Sequence, residues 1–180
     1  MSGHRKQLKR FEHRNELRFL TFSCYQRLGL FNNDAIKDHF VNHFIDCQAT
    51  LQFKTYAWVL MPEHIHLLIR PQDETQTVET ILRRLKSSFG QGVIRRWEEL
   101  HAPILKRITI ANGTRRFWQR GGGYDRNTFS EKELIEKIGY IHLNPVKRGL
   151  VSTLDEWKWS SARWYEKRED YVGPPISNAL

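Results

Sequence analysis

The stretch from Phe53 to Arg70 limits the fold of this chain more than any other. Phe53-Lys54-Thr55-Tyr56-Ala57-Trp58-Val59-Leu60 and the run from His64 to Arg70 are both rich in β-branched and aromatic residues, and only Met61-Pro62-Glu63 separates them. Such side chains suit a pleated surface and the short break suits a turn, so the two runs are predicted to form an antiparallel hairpin. Residues two apart on a strand share a face. His64 and His66 therefore project to one side, while Ile65, Leu67 and Ile69 enter the core.

The rest of the chain fits around that hairpin. Arg18-Phe19-Leu20-Thr21-Phe22-Ser23-Cys24-Tyr25 reads as a strand. Asn33 or Asp34 can cap a helix running to about Leu51, with Ile36, Phe40, Phe44 and Ile45 at helical spacing. A second helix spans about Val78 to Glu98, with Ile81, Leu82, Leu85 and Phe89 on one side and Arg83, Arg84 and Lys86 on or near the other. A last helix, capped by Ser130, runs from about Glu131 to His142 and is expected to end at Pro145. Residues 104–110 read as a fourth strand or equally as a loop. The order β-α-β-β-α-(β)-α predicts an α+β fold, a small antiparallel sheet with helices packed on one face, of the ferredoxin-like kind.

At 180 residues the chain suits one domain. The expected division is a basic flexible lead-in at 1–15, a single domain at 16–170 and a flexible tail at 171–180. Apolar runs such as Ala57-Trp58-Val59-Leu60-Met61 stop far short of the roughly 20 residues that span a bilayer, so no membrane partner is expected. The N-terminal residues lack the pattern of a secretory signal. Cys24 and Cys47 have neither zinc-knuckle nor redox spacing, and the cytoplasm is the expected location.

Net charge is +9, and its placement narrows the class of partner. Residues 1–18 carry six Lys/Arg against two Glu, residues 101–120 carry five Lys/Arg and no acid, and the remainder balances. The second segment interleaves its charge with aromatic rings in Arg115-Arg116-Phe117-Trp118-Gln119-Arg120. Phosphates pair with Arg and bases stack on rings, so a nucleic-acid strand suits this composition, although a solvated basic surface would look similar.

Two imidazoles on one strand face are half of a metal site. A zinc hydrolase would need a third nitrogen, sulfur or carboxylate ligand, and neither a Cys nor an HExxH helix offers one. The helix at 131–145 carries the other notable group. On a wheel, Leu134, Ile135, Ile138 and Ile141 cluster on one side, with Tyr140 roughly opposite on the stripe of Glu133, Glu136, Lys137 and Asn144. Asn144 lies four residues after Tyr140 and so shares its face. A phenol displayed this way is a plausible nucleophile toward phosphorus, or simply an exposed tyrosine. Tyr25, Tyr56 and Tyr124 are rival phenols, and of these only Tyr124, in Gly121-Gly122-Gly123-Tyr124-Asp125-Arg126, sits in a segment able to approach an active site.

Three motifs in order, Trp58-Val59-Leu60-Met61-Pro62-Glu63-His64-Ile65-His66, Phe117-Trp118-Gln119-Arg120 and Tyr140-Ile141-His142-Leu143-Asn144-Pro145-Val146-Lys147-Arg148-Gly149-Leu150-Val151, resemble the single-tyrosine HUH transposases. Within them the likeness is to the bacterial REP-associated tyrosine transposases, and it covers roughly residues 16–165. The resemblance implies a ferredoxin-like or RRM-like HUH endonuclease domain, an antiparallel sheet with helices packed on it, in which His64, His66 and Asn144 hold Mg²⁺ or Mn²⁺ and Tyr140 is the nucleophile. It implies a 5′-phosphotyrosine intermediate on single-stranded DNA with hairpin-forming repeats, made by a monomer or homodimer in a bacterial cytoplasm. The triple glycine before Tyr124 departs from the family, whose members commonly carry bulkier residues there.

On charge and motif proximity, Arg83, Arg84, Lys86, Arg115, Arg116 and Arg120 are the expected contacts to the DNA backbone, and Trp118 the expected base-stacking residue. Two rival readings use the same fold. A non-catalytic single-stranded DNA or RNA-binding module needs no covalent adduct, and a water-using phosphodiesterase leaves no protein on its product.

Overall fold

The computed structural model describes residues 16–72, 76–121, 123–128 and 130–178, and the basic lead-in at 1–15 lies outside them. The 53–70 segment forms the expected hairpin: β2 (Phe53–Leu60) and β3 (His64–Pro71) pair antiparallel, with a bulge between Thr55 and Ala57. The Met61 N–H donates to the His64 carbonyl at 2.8 Å and closes the turn. β1 (Leu17–Ser23) pairs antiparallel with the other side of β3, and β4 (Tyr124–Thr128) with β1. With α1 (Asp34–Leu51) joining β1 to β2 and α2 (Val78–Glu99) lying between β3 and β4, the strand order β2-β3-β1-β4 is that of the ferredoxin-like fold.

Both helices begin where a side chain can satisfy free backbone N–H groups. Asn33 Oδ1 accepts from Ala35 and Ile36 at 2.8 and 3.3 Å, and Thr77 Oγ1 accepts from Thr80 at 3.1 Å. The two helices cover the face of the sheet that Leu20, Phe22, Ile65 and Leu67 reach. Phe31, Phe40, Phe44, Phe89 and Phe117 interlock there, with ring centroids 5.0 to 6.3 Å apart. Each ring so buried contributes about 1.5–3 kcal/mol. Most of the fold's apolar stabilisation resides on this side.

The opposite face is covered by α4 (Glu131–Lys147), and here the structure corrects the sequence reading twice: helices lie on both faces of the sheet and not on one, and this helix runs through Pro145 for two more residues. A proline this close to a C-terminus costs the helix one hydrogen bond, and its ring is buried. The stop comes at Gly149, whose φ of +65° suits glycine and whose N–H reaches the Val146 carbonyl at 2.9 Å.

Residues 104–110 are also not a strand. Leu105–Ile108 form the short helix α3, because Ile104, Leu105 and Ile108 meet the core at helical spacing. The fourth strand is the polar Tyr124–Thr128. Among the described residues it pairs on one edge, with β1, and it lacks a hydrophobic signature.

The free edge of β2 is capped by later segments that sequence patterns left unplaced. Leu60 N–H donates to the Trp159 carbonyl at 2.9 Å and Ser161 N–H to that of Trp58 at 3.0 Å. α5 (Ala162–Tyr165) follows, and the Tyr165 hydroxyl donates to the Tyr56 carbonyl at 2.8 Å. The segment read as a frayed end is attached as well. Ile176 bridges to Thr55, and the Ser177 N–H donates to the Thr55 carbonyl at 2.8 Å. Among the described residues no helix is long and apolar enough to cross a membrane.

Candidate active site

Register places the candidate residues before any side chain is considered. Val59, His66, Thr21 and Tyr124 are successive cross-strand partners, so they stand in one row on the α4 side of the sheet, and His64 pairs with Ser23 in the adjoining row. The two imidazoles meet at 82°, their centroids 4.6 Å apart, and their Nε2 atoms lie 3.0 Å apart. Each Nδ1 is engaged by an oxygen behind it: His64 Nδ1 with Glu63 Oε1 at 3.1 Å, His66 Nδ1 with Thr21 Oγ1 at 2.7 Å. The Nε2 atoms are thereby the ones turned toward the open side of the sheet.

Burial works against the protonated form of both rings. Burial pushes His66 down to about 3, with His64 and Arg27 adding to the effect. Burial lowers His64 too, against an upward pull from the Glu63 carboxylate. Glu63 itself is only 8% exposed. Burial raises its carboxyl, but the hydrogen bond from Arg148 and the charge of His64 outweigh that and hold it below the ordinary range. Its Oε1 receives Arg148 Nη1 at 2.8 Å and faces Arg27 Nη2 at 3.6 Å. One buried carboxylate thus ties a histidine to two guanidinium groups.

Tyr140 stands over this pair. Its ring lies 5.3 Å from that of His66 and 5.9 Å from that of Phe19, both near perpendicular, and the residue remains 43% exposed. Asn144, one helical turn on, is buried in the same cavity of about 590 Å³. The wheel grouped Tyr140 with Lys137 and Asn144, and all three line this cavity. Its apolar side is buried at Leu134 and Ile141 and Tyr140 is displayed as the wheel has it, but Ile135, grouped with the apolar side, is 52% exposed. A wheel shows which residues share a stripe. Which stripe meets the sheet depends on how the helix docks.

The positive rim is made by residues outside the expected DNA-contact set. Arg27, Lys137, Lys147 and Arg148 line the cavity, and among the described lining residues there is no carboxylate. Arg148 extends the i, i+4 series from Tyr140 through Asn144, a signal the wheel could have followed one turn further. Arg27 had no such signal, because it arrives through a turn in which Gln26 and Arg27 both have positive φ.

None of the expected DNA contacts lines this cavity. Arg83 and Arg84 are exposed on α2, in the layer on the other side of the sheet. Lys86 is pinned, its Nζ donating to the Gly121 carbonyl at 3.0 Å. Arg115 pairs with Glu98, Arg116 is half-buried and Arg120 is exposed. Trp118 is half-buried against the core. Its ring packs against Phe22, Phe31, Phe89 and Phe117, and its indole N–H donates to the Lys86 carbonyl at 2.8 Å. Interleaved Arg and aromatic residues look alike in sequence whether the rings face DNA or the core.

A ferredoxin-like sheet with paired histidines under a helix-borne tyrosine is the frame of a known class of enzyme. The model of the IS200-like transposases matches residues 17–144, and the chain belongs to that family. A Haemophilus influenzae protein named as a REP-associated tyrosine transposase is 26% identical over 155 residues, covering 86% of this chain and 84% of its own. The REP-associated tyrosine transposase of Escherichia coli is 30% identical over 109 residues, which is 61% of this chain and 54% of that protein. A solved structure of a REP-associated tyrosine transposase bound to a REP hairpin shares the fold, with a TM-score of 0.64 at 20% identity over 100% of this chain and 94% of that one.

Proposed function

We propose that this transposase cuts and rejoins single-stranded, hairpin-forming DNA with Tyr140 as its nucleophile. The observation that carries the reading is the convergence of His64 Nε2, His66 Nε2, Tyr140 and Asn144 on one cavity whose charged lining is cationic. The Tyr140 oxygen attacks the phosphorus, the bond to the 3′ oxygen breaks, and the phenol's proton ends on the departing 3′-hydroxyl. A 5′-phosphotyrosine link remains. The link keeps the phosphoester's free energy, so an incoming 3′-hydroxyl reverses the step and joins strands without a nucleotide cofactor.

The donor set fits a hard divalent cation. With Nδ1 hydrogen-bonded to Glu63, His64 offers its Nε2 lone pair, and the Thr21 hydroxyl, able to donate or accept, lets His66 do the same. Asn144 would add an amide oxygen, and Mg²⁺ or Mn²⁺ accepts such a mixed set. Held there, the cation would neutralise charge on the scissile phosphate. Arg27, Lys137, Lys147 and Arg148 hold the flanking phosphates, while the exposed Arg120 is placed for DNA further out.

The test is incubation of purified protein with hairpin oligonucleotides from its source genome's repeats, with Mn²⁺ or Mg²⁺, followed by denaturing gels. A protein–DNA adduct lost with EDTA and in Tyr140→Phe is expected. Metal-dependent cutting without an adduct would make the enzyme a hydrolase, and binding that survives EDTA with neither would make it a non-catalytic module.

A further inference from the structure

The glycine-rich segment before β4 has no part in the chemistry above, yet the fold anchors it at the edge of the active site. Lys86, from the far layer, holds the Gly121 carbonyl. Gly123 has a φ of +77°, and a Cβ there would sit 1.9 Å from the Thr21 carbonyl oxygen, so its backbone presses on β1 at the residue that supports His66. No side chain can stand at Gly123 without displacing β1. This close approach fixes where the next residue, Tyr124, leaves the sheet.

Tyr124 enters the same row as His66, one strand beyond Thr21. Two strand spacings separate the backbones, about 10 Å. That is within the reach of one nucleotide from a phosphate held at the histidines. The Tyr124 ring meets Phe19 edge-on at 6.0 Å, while Phe19 is stacked with His66 at 5.6 Å on its other flank. One side of the Tyr124 ring is thus braced, and the residue remains 46% exposed at the cavity that Tyr140 lines. A braced, half-open aromatic ring beside a cationic cavity is the arrangement by which proteins stack an unpaired base, and any base can use it.

We infer that Tyr124 is a stacking platform for the unpaired nucleobase next to the scissile phosphate, a base subsite that positions the strand for Tyr140. The inference rests on the proposed strand-cutting reading. Its role is positioning, and its hydroxyl is dispensable.

The experiment uses the Tyr140→Phe chain, which holds DNA intact, and hairpin oligonucleotides in which 2-aminopurine replaces each single-stranded position in turn. At one position next to the cut site, fluorescence is expected to be quenched on binding. That quench should persist when Tyr124→Phe is added and vanish with Tyr124→Ala, which should also weaken binding about tenfold. In the chain with Tyr140 intact, Tyr124→Ala should raise KM while leaving most of kcat, and Tyr124→Phe should form adduct normally. Normal binding with an unchanged quench in the Tyr124→Ala chain overturns the stacking subsite alone. Loss of adduct in Tyr124→Phe overturns it differently, by making this phenol a reactant. A Tyr140→Phe chain that binds none of the hairpins overturns both the subsite and the strand-cutting reading.

Discussion

The two faces of the sheet are made from the same strands but stabilised by different means. β1 and β3 send Leu20, Phe22, Ile65 and Leu67 to one side and Phe19, Thr21, His64 and His66 to the other. Burial is almost equal, with Leu67 at 0% and His66 at 4% exposure. On the first side closely packed rings exclude water. On the second, buried polar atoms remain because each has a partner: Glu63 for His64, Thr21 for His66, Arg148 for Glu63. Buried polar groups are thus held on one face while the apolar core stays intact on the other. Stability is concentrated opposite the chemistry.

That separation can be broken or sharpened by variants. The largest effect is expected from Tyr140→Phe, which should reduce adduct formation by at least about 10⁴-fold while shifting stability by less than about 0.5 kcal/mol. Quantitative gels and a thermal melt check the two halves, and a large fall in Tm would show that Tyr140 also belongs to the core. Phe89→Ala on the other face should do the reverse. It removes a ring in contact with Phe31, Phe40 and Phe117, should cost about 3–5 kcal/mol in urea unfolding, and should leave the adduct rate of the folded fraction within a few-fold.

Acid should expose the polar face first. His142, buried on α4 against Ser161 at 2.9 Å, is pushed down by burial to about 4. The unfolded chain therefore binds this proton more readily than the folded one. Its contribution is complete above about pH 6.5 and declines as the pH falls toward 4, by about 3 kcal/mol in all. Replacing it with Gln, which keeps a hydrogen-bonding amide, should make the acid limb of a stability–pH curve shallower, and an unchanged slope would place the acid sensitivity elsewhere.

The smallest expected effect is that of Glu63→Ala. Removing the partner of His64, the proposed metal ligand, should weaken Mn²⁺ binding about 10–100-fold, measurable by calorimetry without any substrate. Equal metal affinity in the variant would mean that Glu63 serves only the two arginines.

How much of this was legible in the sequence differs between the faces. The hairpin and the shared side of His64 and His66 follow from a two-residue period, and the pairing of Tyr140 with Asn144 from a four-residue one. Cap residues marked the helix starts. The resemblance to a tyrosine transposase family rested on these local motifs, and the family match confirmed it. The packing of Trp118 against the core was not legible, because an aromatic beside arginines carries the same local pattern in a core as on a DNA surface. β4 was missed because a polar edge strand buries too little to leave a period.

Near neighbours along the chain were enough to establish the strand face of the histidines, the stripe of the tyrosine, and the helix caps. The tertiary structure alone set Tyr140 over the histidine pair, chose which cations rim the cavity, and put Tyr124 instead of Trp118 beside it. The reason is physical. Backbone geometry brings residues two or four apart onto one face in any context, whereas Glu63 and Arg148 meet across 85 positions only because the whole core holds α4 against the hairpin.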